Sequence, residues 1–299
     1  MPSLKDVQDQ ISAVGKTKQI TKAMNMVATS RLRRCQVEMD MFRPYAEKFS
    51  AVLGSLAERA SDGANQLLTP REDVKNVHIV LCTSDRGLCG GFNVNLTHKA
   101  QKFINELTAD EDKEIGFTAF GKRGRDWCRK TGSNITDEHI GLVGSNIPFN
   151  VASNLGRKLV DSYLNGTYDE VYIVYPNFIS MGRQVPTIMQ LLPIPPIEVA
   201  KEELAEGLDQ PYQPEHLCEP SPGELLGDLL PRNVYVQLYS SLLETSTSEH
   251  AARMTAMDNA TKACTDLIDD LTLAYNKARQ SAITADLMDI VGGAEALNG

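Results

Sequence analysis

The stretch RMTAMDNATKACTDLIDDLTLAYNKARQSAITA, residues 253–285, decides the fold because apolar or small side chains recur in it at alternating steps of three and four. This spacing is the seam of a coiled coil, and it is sustained here over four heptads. No proline or glycine interrupts residues 232–291, so the sequence predicts a single long helix that needs a partner helix to cover its seam. The seam positions are Met254, Met257, Thr261, Cys264, Ile268, Leu271, Tyr275, Ala278, Ala282 and Ala285.

A second seam occupies the other end of the chain. Its apolar positions keep the same steps until Lys18, which falls on the seam, and they then resume on a shifted face. Such a shift predicts a stutter, which is a local unwinding of a coiled coil. The positions before the shift are Leu4, Val7, Ile11 and Val14, and those after it are Ile20, Met24 and Val27.

The charges of the two ends are complementary. Residues 1–36 carry seven basic and two acidic side chains, whereas residues 241–299 carry four basic and nine acidic ones, which gives balances of +5 and −5. We therefore expect the two helices to pair with each other. The pairing should be antiparallel, because the intervening chain must bring the two ends together. The alternative is two separate amphipathic helices packed on a globular core.

The middle of the chain has a different pattern, in which short apolar runs alternate with amphipathic stretches. This alternation predicts an α/β fold, a Rossmann-like domain with a mostly parallel sheet. Strands are predicted at 76–83, 115–120, 170–175 and 185–192, and helices at 95–107, 122–131 and 150–165. The predicted organisation is an N-terminal shaft helix at 1–60, a linker at 61–73, the α/β domain at 74–192, a proline-rich acidic connector at 193–231 and a C-terminal shaft helix at 232–299.

The glycine-rich turn SDRGLCGGFN, residues 84–93, is the best candidate for chemistry. It lies between a predicted strand and a predicted helix, where backbone N–H groups can bind a phosphate. Its spacing matches neither the dinucleotide-binding fingerprint nor the P-loop, and it lacks the P-loop lysine. The favoured interpretation is that Gly87, Gly90 and Gly91 allow a tight bend through positive φ and close backbone approach. A nucleotide-dependent enzyme that uses this turn is the alternative function.

Composition and residue spacing argue against several classes of function. A net charge of −9 does not favour nucleic acid as a partner, and no apolar run is long enough to cross a bilayer. The six cysteines and five histidines have no metal-ligand spacing, and no catalytic triad emerges, so we expect no catalytic residue, metal or cofactor. The first ten residues are charged where a signal peptide needs an apolar core, which indicates a cytoplasmic protein.

Four motifs, in the same order along the chain, closely resemble the gamma subunit of the F-type, proton-translocating ATP synthase. They are ITKAMNMVATSRLRR (20–34), SDRGLCGGFN (84–93), EHAARMTAMDNATKAC (249–264) and LTLAYNKARQSAITADLMDIVGGAEAL (271–297). The resemblance implies a central rotor stalk, an antiparallel coiled coil inserted into a ring of alternating alpha and beta subunits. It also implies that the α/β domain sits beside the epsilon subunit and the membrane ring of c subunits.

The function implied by this resemblance is mechanical. Rotation of an asymmetric coiled coil couples proton flow through the c ring to ATP synthesis at the beta subunits and regulates ATPase activity. The chain itself would be non-catalytic and would hold no cofactor. It would be peripheral, at the cytoplasmic face of a bacterial inner membrane. A coiled-coil adaptor unrelated to ATP synthesis is a third possibility.

The resemblance also assigns contact residues. Arg279 and Gln280 match a pair that contacts a loop of the beta subunit, and an apolar tip of the shaft would turn in a hydrophobic sleeve. A further set would face an acidic segment of beta, and Glu219 would belong to the foot that meets the c ring, although residues 216–218 depart from the family pattern. The tip residues are Ile283, Leu287, Ile290 and Val291, and the beta-facing set is Lys18, Lys22, Met24, Arg31 and Arg33.

Overall fold

The computed structural model describes residues 4–57, 65–109, 113–195 and 221–298. Two long helices, α1 (Leu4–Ala57) and α5 (Pro222–Asn298), flank an α/β segment in the chain. The chain divides into two compact units, which we call the helical unit, residues 1–29 and 253–299, and the α/β unit, residues 30–252. Each long helix therefore contributes residues to both units.

The helical unit consists of the start of α1 paired with the last part of α5. The hydroxyls of Thr21 and Thr261 lie 2.9 Å apart, and the side-chain amide of Asn25 donates to the carbonyl of Met254 at 2.9 Å. Partner numbers rise along α5 as they fall along α1, so the two helices are antiparallel. The predicted antiparallel pairing is confirmed, and the alternative of two helices packed separately on a globular core is wrong for this unit.

The α/β unit contains a five-stranded sheet in the order β3-β2-β1-β4-β5. β1, β2, β3 and β4 are mutually parallel, and β5 returns antiparallel to β4. The strands are β1 (Asn76–Cys82), β2 (Glu114–Phe120), β3 (Asn134–His139), β4 (Glu170–Ser180) and β5 (Arg183–Leu192), and the helices between them are α2 (Phe92–Leu107), α3 (Lys122–Thr131) and α4 (Phe149–Leu164). The predicted α/β fold with a mostly parallel sheet is confirmed.

Two apolar cores cover the two faces of this sheet. Alternate β1 residues divide between them, because successive side chains of a strand point to opposite faces. Val80 and Cys82 join the core formed with α4, α5 and the end of α1, whereas Ile79 and Leu81 join the core formed with α2 and α3. All four side chains are fully buried, so β1 is the centre of the unit.

Two elements differ from the sequence expectation. The strand β3 was not predicted, because its residues NITDEH are polar and alternate between exposed and half-buried at the edge of the sheet. The helix α5 begins at Pro222, ten residues before the predicted start, and passes through Pro231. Leu226 and Leu230 of this additional stretch are buried in the core, which offsets the local cost of about 3 kcal/mol for a proline inside a helix.

Candidate functional site

The seam of α1 continues without a stutter. Ile20 and Val27, predicted to resume the seam, are 60% and 54% exposed, whereas Thr21 and Ala28 are buried. The predicted stutter is therefore wrong. Small residues continue the heptad at positions where the helices approach closely, and the larger apolar side chains lie on another face. Lys18 lies on the seam and is half-buried, as its position in the heptad predicts.

The predicted seam of α5 is confirmed along most of its length. Each predicted position from Met254 to Ala282 is buried or half-buried, and Ala285 is exposed. The seam has polar members where the pairs Thr21–Thr261 and Asn25–Met254 form. Polar residues at seam positions specify the register of a coiled coil at some cost in stability. The helical unit is therefore held at one axial alignment.

The residues predicted to face the beta subunit differ in how exposed they are. Lys22, Arg31 and Arg33 are exposed, whereas Lys18 and Met24 are half-buried. Two of these, Arg31 and Arg33, belong to the α/β unit, and the other three belong to the helical unit. Each unit therefore contributes part of the predicted set, and the contact with a partner stays a prediction.

The pair Arg279 and Gln280 is exposed and lies off the seam, as predicted. The register places Lys18 level with about residue 264, so Arg279 lies some 15 residues further along α5, roughly 22 Å at 1.5 Å per residue. The pair and the lysines of α1 are therefore separated along the helical unit, and their contact with a partner stays a prediction.

The predicted apolar tip is exposed. Ile283, Leu287, Ile290 and Val291 expose 51–69% of their surface, and neighbouring Met288 exposes 68%. This part of α5 lies beyond the level of the first described residues of α1. An exposed cluster of large apolar side chains marks an interaction site rather than an ordinary surface. Glu219, the predicted foot contact, lies outside the described residues.

Two side chains of the glycine-rich turn, Asp85 and Asn93, hold it in place by hydrogen bonds to backbone amides. Asp85 accepts the backbone N–H of Lys122 with one carboxylate oxygen and that of Gly141 with the other, both at 3.0 Å. The first of these amides opens α3, so the place where an anion would bind that helix already holds a carboxylate of the same chain. Asn93 accepts the N–H of Ser84 at 3.0 Å and so closes the turn on itself.

The backbone of this turn departs from the expected pattern. Of its three glycines, Gly90 has a positive φ of 59°, and the other two do not. Leu88 also has a positive φ, 64°, although it is not a glycine. The expectation that Gly87 and Gly91 supply positive φ is wrong, because the chain turns at Leu88 and Gly90 instead.

The ligand crevice of this sheet type is occupied by α5. In doubly wound sheets, ligands bind beyond the carboxyl ends of the strands where the strand order reverses. Here that point lies between β1 and β4. Thr245 hydrogen-bonds the Cys82 thiol at the end of β1, and Ser248 donates to the carbonyl of Pro176 in β4 at 3.4 Å. Both hydroxyl residues are fully buried, and this occupancy argues against a nucleotide site there.

These residues belong to a buried polar stretch that sequence reasoning missed. The stretch SLLETSTSEH, residues 241–250, buries nearly all of its polar side chains. Serine and threonine are usually exposed, so a helix so rich in them gives no pattern that predicts burial. The signal that could have found it is four consecutive hydroxyl side chains, residues 245–248, inside a helix that otherwise has strong apolar periodicity.

His250 has the most perturbed environment of this stretch. Its Nε2 lies 2.9 Å from the carbonyl oxygen of Gly144, and its Nδ1 lies 2.9 Å from a carboxylate oxygen of Glu249. Burial lowers the pKa of His250, but its contacts with Cys35, the Glu249 carboxylate and the Gly144 carbonyl outweigh burial and raise the pKa to about 9. The imidazole is therefore protonated at neutral pH, and its environment stabilises that charge.

Among the residues that the structure describes, no helix combines the length and the apolarity needed to cross a bilayer.

Comparison with known proteins gives a consistent result over the whole chain. The family model described as ATP synthase matches residues 3–297. The chain is 60% identical over 300 residues to the ATP synthase gamma chain of Desulfosudis oleivorans, and 56% identical over 306 residues to that of Desulforapulum autotrophicum. Both alignments cover 100% of each chain.

A solved structure supports the fold. The chain is similar to one from the mitochondrial ATP synthase of Euglena gracilis, described as OSCP/F1/c-ring in rotational state 3. The TM-score is 0.65 at 19% identity, with 98% of this chain and 94% of the other covered. At 19% identity this likeness supports the fold alone. The evidence for a family comes from the two gamma chains that are 60% and 56% identical.

Proposed function

The chain belongs to the family of ATP synthase gamma chains, and from that premise we propose that it is the central stalk subunit of an ion-translocating ATP synthase. In this role it rotates as an asymmetric coiled coil and couples ion flow through a c ring to ATP synthesis at the beta subunits. It binds the ring of alpha and beta subunits, the epsilon subunit and the c ring. The same contacts regulate ATP hydrolysis by the complex.

The observation that carries this proposal is the antiparallel pair of helices with an exposed apolar end, residues 283–291 of α5. A stalk needs stiffness, and the seam from Met254 to Ala282 supplies it by burying side chains continuously along α5. A stalk also needs a surface that differs from one side to the other, since a symmetric shaft would make the same contacts with its partners at every angle of rotation. Residues 1–36 and 241–299 have charge balances of opposite sign, so the paired helices offer a basic side and an acidic side.

The contact residues keep their expected roles in this proposal. Arg279 and Gln280 bind a loop of the beta subunit, where a planar guanidinium can bind a carboxylate through two hydrogen bonds. The exposed basic residues of α1 face an acidic segment of beta. The apolar tip turns in a hydrophobic sleeve, where few hydrogen bonds fix any one angle. Glu219 belongs to the foot that meets the c ring.

The chain acts without chemistry of its own. We propose that it is non-catalytic and holds neither metal nor nucleotide, because the crevice that would hold a nucleotide contains Thr245 and Ser248 of α5. It is peripheral, at the cytoplasmic face of the membrane. We propose that its organisation comprises two shaft helices, a linker at 61–73, the α/β domain of residues 74–192 and an acidic connector predicted at 193–231, of which the last ten residues belong to α5.

The proposal is tested with the complex. We expect vesicles that contain the alpha, beta and epsilon subunits and the membrane sector of the same organism to pump protons on ATP addition only when this chain is present. The purified chain alone should neither hydrolyse ATP nor bind it below millimolar concentration in a calorimetric titration. Stable ATP turnover by the chain alone would support the nucleotide-dependent enzyme and refute the stalk.

A second experiment tests the contact pair. We expect Arg279→Ala to reduce ATP-driven proton pumping while the unfolding midpoint of the isolated chain stays unchanged, because exposed charges contribute little to stability. Lys277→Ala is the matched control, since Lys277 is an exposed cation two positions away on the same helix. A large loss of thermal stability with unchanged pumping would contradict the assignment.

A further inference from the structure

The buried polar stretch of α5 is held by the sheet on one side and by a loop on the other. We call this arrangement the clamp. It consists of Glu244, Ser246, Ser248 and His250 on α5, together with the backbone groups of Gly144, Pro176 and Phe178 that they contact. All of these residues lie within the α/β unit, in which α5 continues on to residue 252.

The first side of the clamp is the distal part of β4. The backbone N–H of Phe178 donates to a carboxylate oxygen of Glu244 at 3.2 Å, and the Ser248 hydroxyl donates to the carbonyl of Pro176 at 3.4 Å. Burial raises the pKa of Glu244, with the Phe178 amide and Arg43 opposing it. One turn of helix separates the two α5 residues, so they act on the same face.

The second side is the loop between β3 and α4. The backbone N–H of Gly144 donates to the Ser246 hydroxyl at 3.1 Å, and the carbonyl of the same residue lies 2.9 Å from Nε2 of His250. Gly144 has a φ of +79°, and a Cβ added there would lie 3.2 Å from the His250 ring nitrogen. A glycine is required because both its backbone groups must reach α5 at close range.

The two sides act on opposite faces of the helix. Residues advance by about 100° each around an α-helix, so Ser246 and Ser248 point about 160° apart. Apolar packing is non-directional and opposes rolling of a helix only through shape. Hydrogen bonds placed on opposite faces are directional, and each would have to break if α5 rolled about its own axis within the α/β unit.

We infer that the clamp is the torque-bearing attachment of α5 to the α/β domain. The crevice in which other doubly wound sheets bind a ligand here holds a helix of the rotor. This inference rests on the proposed stalk function, and it identifies the residues through which torque passes from the α/β domain to α5. The clamp transmits torque because rotation of the α/β domain carries α5 with it. Without it, the domain could turn while α5 lagged, and ATP hydrolysis would proceed with less transport.

The test removes one contact from each side in the assembled complex. The variant Glu244→Ala/Ser246→Ala lacks the acceptors of the Phe178 and Gly144 amides. Glu244→Gln is the conservative comparison, because its amide oxygen still accepts from Phe178. Thr272→Ala is the matched control, since Thr272 is exposed on α5 and its hydroxyl bonds only within the helix in the described contacts, to the Ile268 carbonyl.

The readout is the number of protons pumped per ATP hydrolysed in vesicles. We expect the ratio to fall at least about twofold in the double variant, because each lost buried hydrogen bond weakens the attachment by a factor of about five. The rate of ATP hydrolysis itself should stay unchanged, since no group that touches nucleotide has been altered. The ratio should be unchanged in Glu244→Gln and Thr272→Ala.

A second measurement separates torque from folding. In the isolated full chain, hydrogen exchange at the amides of Gly144 and Phe178 should accelerate in the double variant, while the strand amides of β1 stay protected. Should the double variant not fold, Glu244→Ala is compared with Glu244→Gln for the same ratio. An unchanged ratio in a folded variant with faster exchange overturns the inference. Absence of pumping with the unmodified chain would instead refute the stalk function.

Discussion

The raised pKa of His250 predicts an unusual dependence of stability on pH. Because the pKa is about 9 in the folded chain, against an ordinary value of 6.5, the folded state binds this proton more tightly than the unfolded state does. The stabilisation is complete below pH 6.5. It declines as the pH rises and is lost above about pH 9. We therefore expect the α/β unit to lose stability in mild alkali.

The size of the effect follows from the gap between the two pKa values. That gap corresponds to about 3 kcal/mol in total, and about 2 kcal/mol of it is lost between pH 7 and pH 8.5. Burial lowers the pKa of His78 to about 4, so the effect of His78 is nearly complete by pH 7. Burial raises the pKa of Cys82 to about 12 and that of Cys128 to about 11, and these two thiols add a smaller loss that begins as the pH approaches their ordinary value near 9. The difference in slope between the unmodified chain and a variant without the His250 imidazole is therefore assigned to His250.

The assay is urea unfolding of the full chain at several pH values, followed by the fluorescence of Trp127. This is the only tryptophan in the sequence, and it packs against Phe117 in the α/β unit, so it reports on the unit that contains His250. His250→Gln keeps a donor for the Gly144 carbonyl but cannot be protonated. His98→Gln changes an exposed histidine of α2 and serves as the matched control.

The unmodified chain and the control should lose about 2 kcal/mol between pH 7 and 8.5, and His250→Gln should lose less than about 0.5 kcal/mol. The variant should also be less stable than the unmodified chain at pH 6.5 and similar to it near pH 9. Equal slopes in His250→Gln and the unmodified chain would refute the assignment, because the proton would then be bound elsewhere.

Three further substitutions test particular contacts by thermal or urea unfolding. Gly156→Ala should cost about 2–3 kcal/mol, because the added Cβ would lie 2.2 Å from the Tyr235 ring; an unchanged midpoint would contradict that packing. Asp85→Ala should cost about 1 kcal/mol through its two lost amide contacts and should not create ATP binding, and any measurable affinity would reopen the nucleotide hypothesis. Thr21→Val/Thr261→Val should be neutral or stabilising but should allow other registers, detected as a second spin-label distance between the paired helices; one sharp distance would contradict a register role.

Sequence periodicity predicted the long helices well because one physical requirement dominates them. The seam of α5 has to be covered along its whole length, and its period is visible from Met254 to Ala282. The same reasoning failed on α1, where Ile20 and Val27 have the larger apolar side chains but Thr21 and Ala28 occupy the seam. Hydropathy measures the gain from burial, whereas a close helix contact selects for small size.

Contacts distant in sequence account for the other failures. The edge strand β3 has one exposed face and one half-buried face, so its polar residues NITDEH resemble a loop. The start of α5 depends on Leu226 and Leu230 reaching a core built largely from the α/β segment. Ser246 is buried because Gly144, about one hundred residues earlier, supplies its donor. No local window of sequence contains both members of such a pair.

The occupied crevice explains why a nucleotide-like turn and a mechanical role coexist in one chain. A parallel sheet exposes backbone groups where its strand order reverses, and buried polar groups of this kind must be hydrogen-bonded. A bound nucleotide could satisfy them, but it would dissociate. Ser248 satisfies one such group, the carbonyl of Pro176, permanently because it belongs to the same chain, and Thr245 bonds the neighbouring Cys82 thiol. Replacing a dissociable nucleotide by a helix of the same chain suits a rotor. An attachment that transmits torque on every turn must not depend on whether a ligand is bound.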